Sequence, residues 1–333
     1  MSSHVSVPLS ILDLAFIGPG ETAAESLHGS VKLAQVAEQR GYRRIWYAEH
    51  HNMKSIASSA TSVVIAHVAA NTLTIRLGSG GIMLPNHSPL TIAEQFGTLE
   101  TLHPGRIDLG LGRAPGSDQN TMFALRRDQR ASERFPKDVQ ELQGYLQGRT
   151  LVRGVNAIPG RGTNVPLYIL GSSVFGAQLA AVLGLPYAFA SHFAPDLLHE
   201  AVSTYRRDFQ ASEQLEEPYV IAGVNVTAAE TEAEAQHERL TVARSRIALL
   251  VGGDRTFTDD EADAILESPQ GRSISQMMRY SAIGTPETVS AYLADFAERA
   301  GADELMVVHQ TSNTASRLRS VELLADVSGL VPA

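Results

Sequence analysis

A chain of 333 residues, 44% of them hydrophobic, is long enough for one large domain or two ordinary ones. Its net charge of −9 without a long basic run argues against binding to nucleic-acid phosphates or anionic lipid, and the absence of cysteine excludes disulfides, thiolate metal sites and cysteine nucleophiles. The N-terminal stretch has no basic region ahead of its short apolar part, and no segment reaches the roughly 20 apolar residues of a membrane span, so the expectation is a soluble cytoplasmic protein.

Strand-like and helix-like segments alternate along the chain. "VPLSILDLA" (7–15) reads as a strand, and the helix after it carries Thr22 and Glu25 in capping-box spacing and stops at Gly41. "RRIWYAEHH" (43–51) is a second strand and 59–71 a second helix. "NTLTIRLGSGG" supplies the third strand, with Leu73, Ile75 and Leu77 alternating. Ser88-Pro89 opens a helix that ends at His103, where the histidine sits beside the last turn's carbonyls. "RIDLGLG" (106–112) is the fourth strand, followed by a helical region over 119–147. Strands at 165–171, 186–191 and 219–226 follow, with helices at 174–183 and 195–210; the last strand, "ELMVVHQ" (304–310), leads into a helix at 315–328.

Eight such units predict a (β/α)8 TIM barrel spanning 1–333 as a single domain, since parallel strands joined by helices need both faces covered. A doubly wound open sheet is the competing arrangement. Two stretches exceed ordinary loop length, 147–165 and 250–285, and long insertions in a compact domain usually serve as covers or mobile segments.

In a barrel the active site lies at the carboxyl ends of the strands. There the sequence places glycine, imidazole and small hydroxyls, with few carboxylates. "GSGGIMLPNHSPL" (78–90) sets three glycines at the end of the third strand, where backbone meets something at close range. Gly171-Ser172-Ser173 stand where a strand hands over to a helix, a natural anion site, and Arg113 in "GLGRAPG" could add the cation; the alternative is that Ser172 or Ser173 is only an N-cap. "GLGRAPG" does not have dinucleotide-fingerprint spacing, which favours a single phosphate over a pyrophosphate. His50 and His51 cannot both face the lumen, because successive strand side chains alternate. His50 stands out beside Glu49 and Asn52, ahead of His87, His192 and His309. A metal hydrolase would want converging carboxylates and imidazoles with His-x-His on the first strand, where only Asp13-Leu14-Ala15 is found, so no metal site is expected.

The blocks "AEHH", "LGSGGIMLPNHSPL", "LHPGRIDLGLGRAPG", "LGSS" and "IGTPE" resemble the flavin-dependent luciferase-like monooxygenases, in their single-chain branch related to the α subunit of bacterial luciferase. The resemblance runs from about 8 to 328 and is most specific over 75–116. It implies a barrel that uses reduced FMN, supplied by a separate NAD(P)H-dependent flavin reductase, and O2 to form a flavin 4a-hydroperoxide that oxygenates a small organic substrate. It also implies a non-prolyl cis peptide against the flavin ring at Gly80-Gly81, with Met83 nearby. His50 matches the active-site histidine, Arg113 the arginine facing the flavin phosphate, and Gly171, Ser172, Ser173 and Gly176 the phosphate-side loop. The family also implies a homodimer through the helices after the second and third strands, for which "ATSVVIAHVAA" (60–70) is apolar enough, though it could equally be buried within one protomer. Two departures, no cysteine in the pocket and Ser172-Ser173 in place of Glu-Ser, put the luciferase aldehyde reaction in doubt. A deazaflavin-dependent dehydrogenase of the same superfamily and a non-catalytic flavin-binding barrel are the alternatives. The 250–285 segment takes the position of the luciferase mobile loop, a cover for the pocket, and Phe16, Trp46, Met83, Phe193 and Met306 are candidates for its apolar wall, with core packing the role favoured for most of them.

Overall fold

The computed structural model describes residues 5–114, 118–127, 129–251 and 257–332. Its strands are β1 (Leu9–Asp13), β2 (Arg44–Tyr47), β3 (Arg76–Met83), β4 (Ile107–Gly112), β5 (Leu167–Gly171), β6 (Tyr187–Phe189), β7 (Val220–Ala228), β8 (Ser281–Gly284) and β9 (Glu304–His309). The helices are α1 (Ala23–Arg40), α2 (Thr61–Ala69), α3 (Pro89–Leu102), α4 (Gln119–Ala124), α5 (Phe135–Gln147) and α6 (Val174–Leu183). They continue with α7 (Leu198–Asp208), α8 (Glu232–Val251), α9 (Asp259–Glu267), α10 (Pro269–Met277), α11 (Pro286–Ala300) and α12 (Thr314–Ser328).

All strand pairs are parallel, and the order β6-β5-β4-β3-β2-β1-β9-β7 closes on itself through β6 and β7. The expected (β/α)8 barrel is therefore present, closed rather than open. The strand over 281–284 was not foreseen. β6 is short and pairs only with Val220–Ala222 of β7, after which β8 takes over the same edge of β7 at Asn225–Ala228. The 250–285 segment is thus largely built structure: α9, α10 and β8, with 252–256 outside the described residues.

Period-two alternation divides the strand side chains between two cores. Ile11, Ile45, Leu77, Leu109 and Ile169 face the helices, whereas Leu12, Trp46, Tyr168, Ile221, Met306 and Val308 fill the lumen. Trp46 and Met306 are therefore lumen packing. Helix α1 carries the reciprocal box foreseen at its start: Glu25 N–H donates to Thr22 Oγ1 (3.2 Å) and Thr22 N–H to Glu25 Oε2 (2.7 Å). It stops at Gly41, whose φ of 84° suits glycine alone at low cost.

Two expectations shift. The third strand begins at Arg76, not Leu73, because the N–H groups of Leu73, Thr74 and Ile75 all donate to Glu38 Oε1 (2.8, 2.6 and 2.9 Å) and Leu73 is left 83% exposed. The 147–165 stretch joins α5 to β5, which puts it at the barrel end away from the strand C-termini, so it cannot cover a site there. It is pinned against α3 by the backbone contact of Gly160 with Gly97 and by buried Ala157. In helix α2, Val64, Ile65, Val68 and Ala69 are buried within the chain and Val63 is exposed. Among the described residues, no helix is long and apolar enough to cross a membrane.

The lower lumen is ionic. Arg44 donates to Asp108 (2.7 Å) and Tyr168 (2.7 Å) and pairs with Glu304 (2.9 Å), all at the base of the barrel. Asp108 also takes Trp46 Nε1–H (3.1 Å) and Arg76 (2.5 Å), while Glu304 takes Tyr219 (2.7 Å). Removing one partner of such a group leaves the others charged and unpaired. Replacing Arg44 by Met should cost about 3–5 kcal/mol of stability, read as a lowered urea midpoint at unchanged slope; an unchanged midpoint would show that the two carboxylates are adequately held without it.

Candidate active site at the barrel mouth

A surface cleft of about 750 Å3 lies between the residues leading into β1 and β9 (Val7, Asp303) and helices α7 and α11, at the opposite end from the strand C-termini. None of the residues singled out from the sequence lines it. Those residues gather instead at the carboxyl ends of the strands.

Gly80-Gly81 is a non-prolyl cis peptide, and the β3–β4 register shifts between Ser79 and Ile82. Both glycines are required by the protein's own packing. A Cβ on Gly80 would lie 2.7 Å from Leu12 Cδ1 and 3.0 Å from Trp46 Cβ; one on Gly81 would lie 2.8 Å from the carbonyl oxygen of Gly110. Flatness of the β3 end is therefore set by the lumen and by β4 before any ring arrives. Met83 closes the strand with its sulfur against Gly112.

Glu49 organises the next layer. Its buried carboxylate accepts from His51 Nε2 (2.9 Å), His87 Nε2 (2.9 and 3.0 Å), Met83 N–H (2.9 Å) and Asn86 Nδ2 (3.2 Å). Burial alone would raise its pKa, but the bonds from His87, His51 and the Met83 amide hold it below the usual carboxylate range. Glu49 was noted in the sequence only as a neighbour of His50; its anchoring role depends on the "PNH" turn after β3 folding back, which β2 alone does not announce.

With Glu49 and His51 turned outward, parity turns His50 inward, continuing the lumen series Arg44, Trp46, Ala48. Its Nδ1 is buried with no hydrogen-bond partner, and burial lowers its pKa despite the pull of Glu49. His192, after β6, is close enough to feel His50. Its Nδ1 is also unpartnered and packs against Gly223, and burial together with the Arg246 charge pushes it down to about 3. Asn225 fixes this corner by donating to the His192 carbonyl (2.6 Å) and accepting from Gln310 Nε2 (3.0 Å). His192 gave little signal in the sequence and Asn225 gave none, because β7 reads as uniformly apolar around it. His309 faces away from the mouth. Its Nδ1 meets Ser320 of α12 (2.8 Å), as the inward parity of Met306 and Val308 requires. Phe193 packs edge-on to His192 and remains 43% exposed.

The glycine-rich end of β5 meets the end of β4. Arg113 stacks over Phe175 of α6 with its guanidinium 4.3 Å from the ring centroid, and among the described residues it makes no ion pair. Ser173 occupies the N-cap position of α6 in extended geometry, but its side chain makes no capping bond. The N–H groups of Val174, Phe175 and Gly176 have no intrahelical acceptor, as in any first turn. Gly171 and Gly176 approach within van der Waals contact under Tyr187, whose hydroxyl donates to the Ser173 carbonyl (3.0 Å). Arg113, Gly171, Ser172, Ser173 and Gly176 are thus one cluster. Among the described residues no group of three His, Asp or Glu side chains is arranged to hold a metal ion.

Comparison with known proteins fits this arrangement. The luciferase-like monooxygenase family model matches residues 7–304, and the chain belongs to that family. A luciferase-like monooxygenase of Escherichia coli K12 is 47% identical over 325 residues, covering 97% of each chain. The N-acetyl-S-alkylcysteine monooxygenase of Bacillus subtilis is 34% identical over 331 residues, covering 96% of this chain and 98% of that one. The crystal structure of apo-MsnO8 superposes with a TM-score of 0.89 at 37% identity, covering 99% of this chain and 100% of that one. The fold alone is shared with the oxygenating constituent of 3,6-diketocamphane monooxygenase, solved with FMN (TM-score 0.69, 16% identity), and with an F420-dependent secondary alcohol dehydrogenase (TM-score 0.72, 13% identity). They cover 97% and 96% of this chain, and it covers 98% and 99% of theirs.

Buried neutral imidazoles make the fold sensitive to acid. His192 and His309 take a proton near 6.5 when unfolded but only near 3 when folded, so the unfolded chain binds more protons in between and stability falls as pH drops through that window. The urea midpoint should decline from pH 7 to pH 5, and His309→Gln should flatten the decline; a midpoint constant over that range would contradict the assignment.

Proposed function

We propose that this chain is a monooxygenase that takes reduced FMN from a separate NAD(P)H-dependent flavin reductase and, with O2, oxygenates a small organic substrate at the barrel mouth. The observation that carries the reading is the uncapped start of α6 beside Arg113, which makes no ion pair among the described residues. Free backbone N–H groups at a helix N-terminus and a guanidinium together suit a phosphate monoester. The unpartnered imidazole nitrogens of His50 and His192 lie in the same mouth and leave donor or acceptor capacity for a reacting group.

Reduced FMN, when bound, supplies the electrons that activate O2. Arg113, Ser172, Ser173 and the amides of α6 hold its phosphate, and the flat Gly80-Gly81 backbone beside Met83 receives the ring. His50, neutral at pH 7, holds or moves a proton at the oxygen being transferred rather than adding a charge there. The segment α8 to α10, on the β7 side, keeps water from the reacting atoms.

The first test mixes the protein anaerobically with reduced FMN and pulses it with oxygenated buffer. A transient absorbance preceding the oxidised-FMN spectrum, absent from a protein-free control, is expected. Reoxidation at the rate of free flavin would overturn the oxygenase reading, and binding of a reduced deazaflavin would then favour the dehydrogenase.

Two substitutions separate the roles. Arg113→Ala should weaken FMN binding by about tenfold or more through loss of a charge-assisted contact, with riboflavin binding little changed. His50→Ala should leave FMN binding nearly intact while more of the consumed oxygen appears as hydrogen peroxide; collapse of flavin binding would assign His50 to the cofactor instead.

A further inference from the structure

Two of the three arginines on helix α8, Arg244 and Arg246, have opposite fates. Arg244 faces α9 and pairs with Asp259 and Asp263 (both 2.5 Å). Arg246, two residues on and so on the other side of the helix, turns toward the barrel mouth and is half-buried. Its Nη1 lies 2.6 Å from the sulfur of Met278, a weak acceptor that carries no charge. Among the described residues it has no carboxylate partner.

The groups around it cannot neutralise it. Asn225, which also approaches the Met278 sulfur (3.9 Å), spends its amide on the carbonyls of His192 and Tyr280 and its carbonyl on Gln310. His192, held by that same Asn225, has an unpartnered Nδ1 and is kept from protonation by its burial, with the Arg246 charge adding to it. A guanidinium partly withdrawn from water without a counter-charge is costly, and an anion at that place relieves the cost. The phosphate seat proposed for FMN is elsewhere on the rim, at β4 and β5, whereas Arg246 stands over β6, β7 and β8.

We infer that Arg246 is a specificity-determining residue that binds the carboxylate or sulfonate of an anionic organic substrate at the α8–α10 side of the mouth. The inference rests on the proposed oxygenase reading for what happens to that substrate, but the binding itself needs no flavin. A planar guanidinium pairs with such a group through two parallel bonds, fixing one end of the molecule and leaving its apolar remainder to reach toward His50 and the β3 end.

The test compares octanoate with octanamide, matched in length and differing in charge, by calorimetric titration of the flavin-free protein. Octanoate should bind wild type at least about tenfold more tightly than octanamide. The preference should vanish in Arg246→Gln and survive in part in Arg246→Lys. The Tm of Arg246→Gln should not fall, since an unpaired charge is removed. Equal binding of the two probes, absence of octanoate binding, or a lowered Tm with both probes weakened alike would overturn the inference. So would a selective loss of FMN over riboflavin binding in Arg246→Gln, which would make Arg246 a flavin-phosphate ligand. Failure of the oxygen-pulse experiment with the octanoate preference intact would instead sink the oxygenase reading and leave the anion site standing.

Discussion

One guanidinium organises the base of the barrel. Arg44 sits on β2, and the two carboxylates it joins come from β4 and β9, each two strands away on either side. Its interactions therefore span five neighbouring strands and extend through Tyr168 to β5. Charges taken out of water need partners at fixed positions, so this cluster constrains strand register in a way apolar packing does not. With Leu12, Trp46, Met306 and Val308 stacked above it, the lumen is filled, and room for a ligand remains only at the mouth.

The mouth itself is chemically asymmetric. On the β4–β5 side lie an exposed arginine and the open first turn of a helix. On the β6–β8 side lie a half-buried arginine, a thioether and an amide already fully engaged. Between them stand imidazoles that burial keeps neutral. Glu49 serves this arrangement from behind: by drawing His51 and His87 outward it leaves His50 as the imidazole that β2 offers to the lumen. Positive charge is thus confined to the edges, and the centre is polar without being ionic.

Much of this was legible in the chain. The capping residues Thr22 and Ser88, the glycine stop at Gly41 and the parity that separates His50 from His51 are local rules, and each holds in the structure. The cis Gly80-Gly81 bond came from family resemblance, not from a local rule, since two adjacent glycines are equally compatible with a trans bulge. What failed was non-local. The alternation of Leu73, Ile75 and Leu77 looks like strand until Glu38, from another element, captures the backbone of that turn. The strand over 281–284 is short, and its pairing depends on β6 ending early, which no window of residues around it records. Arg246 and Asn225 were invisible for the same reason: their importance lies in what is, or is not, across from them.

The handover along β7 has a consequence for how such a protein can diversify. Because β6 releases the edge after three residues and β8 takes it up, one sector of the rim is supplied by a late excursion of the chain rather than by the eightfold repeat. That excursion brings its own helices and its own edge pairing, and it is joined to the barrel by β8 on β7 and by Glu238 of α8, which accepts from Ser312 after β9. Sequence drift within it alters the shape and charge of one wall while the ionic base, the β3 end and the α6 turn stay in register. The architecture behaves as a constant platform with an interchangeable jaw, in which new ligands can be tried without refolding the rest.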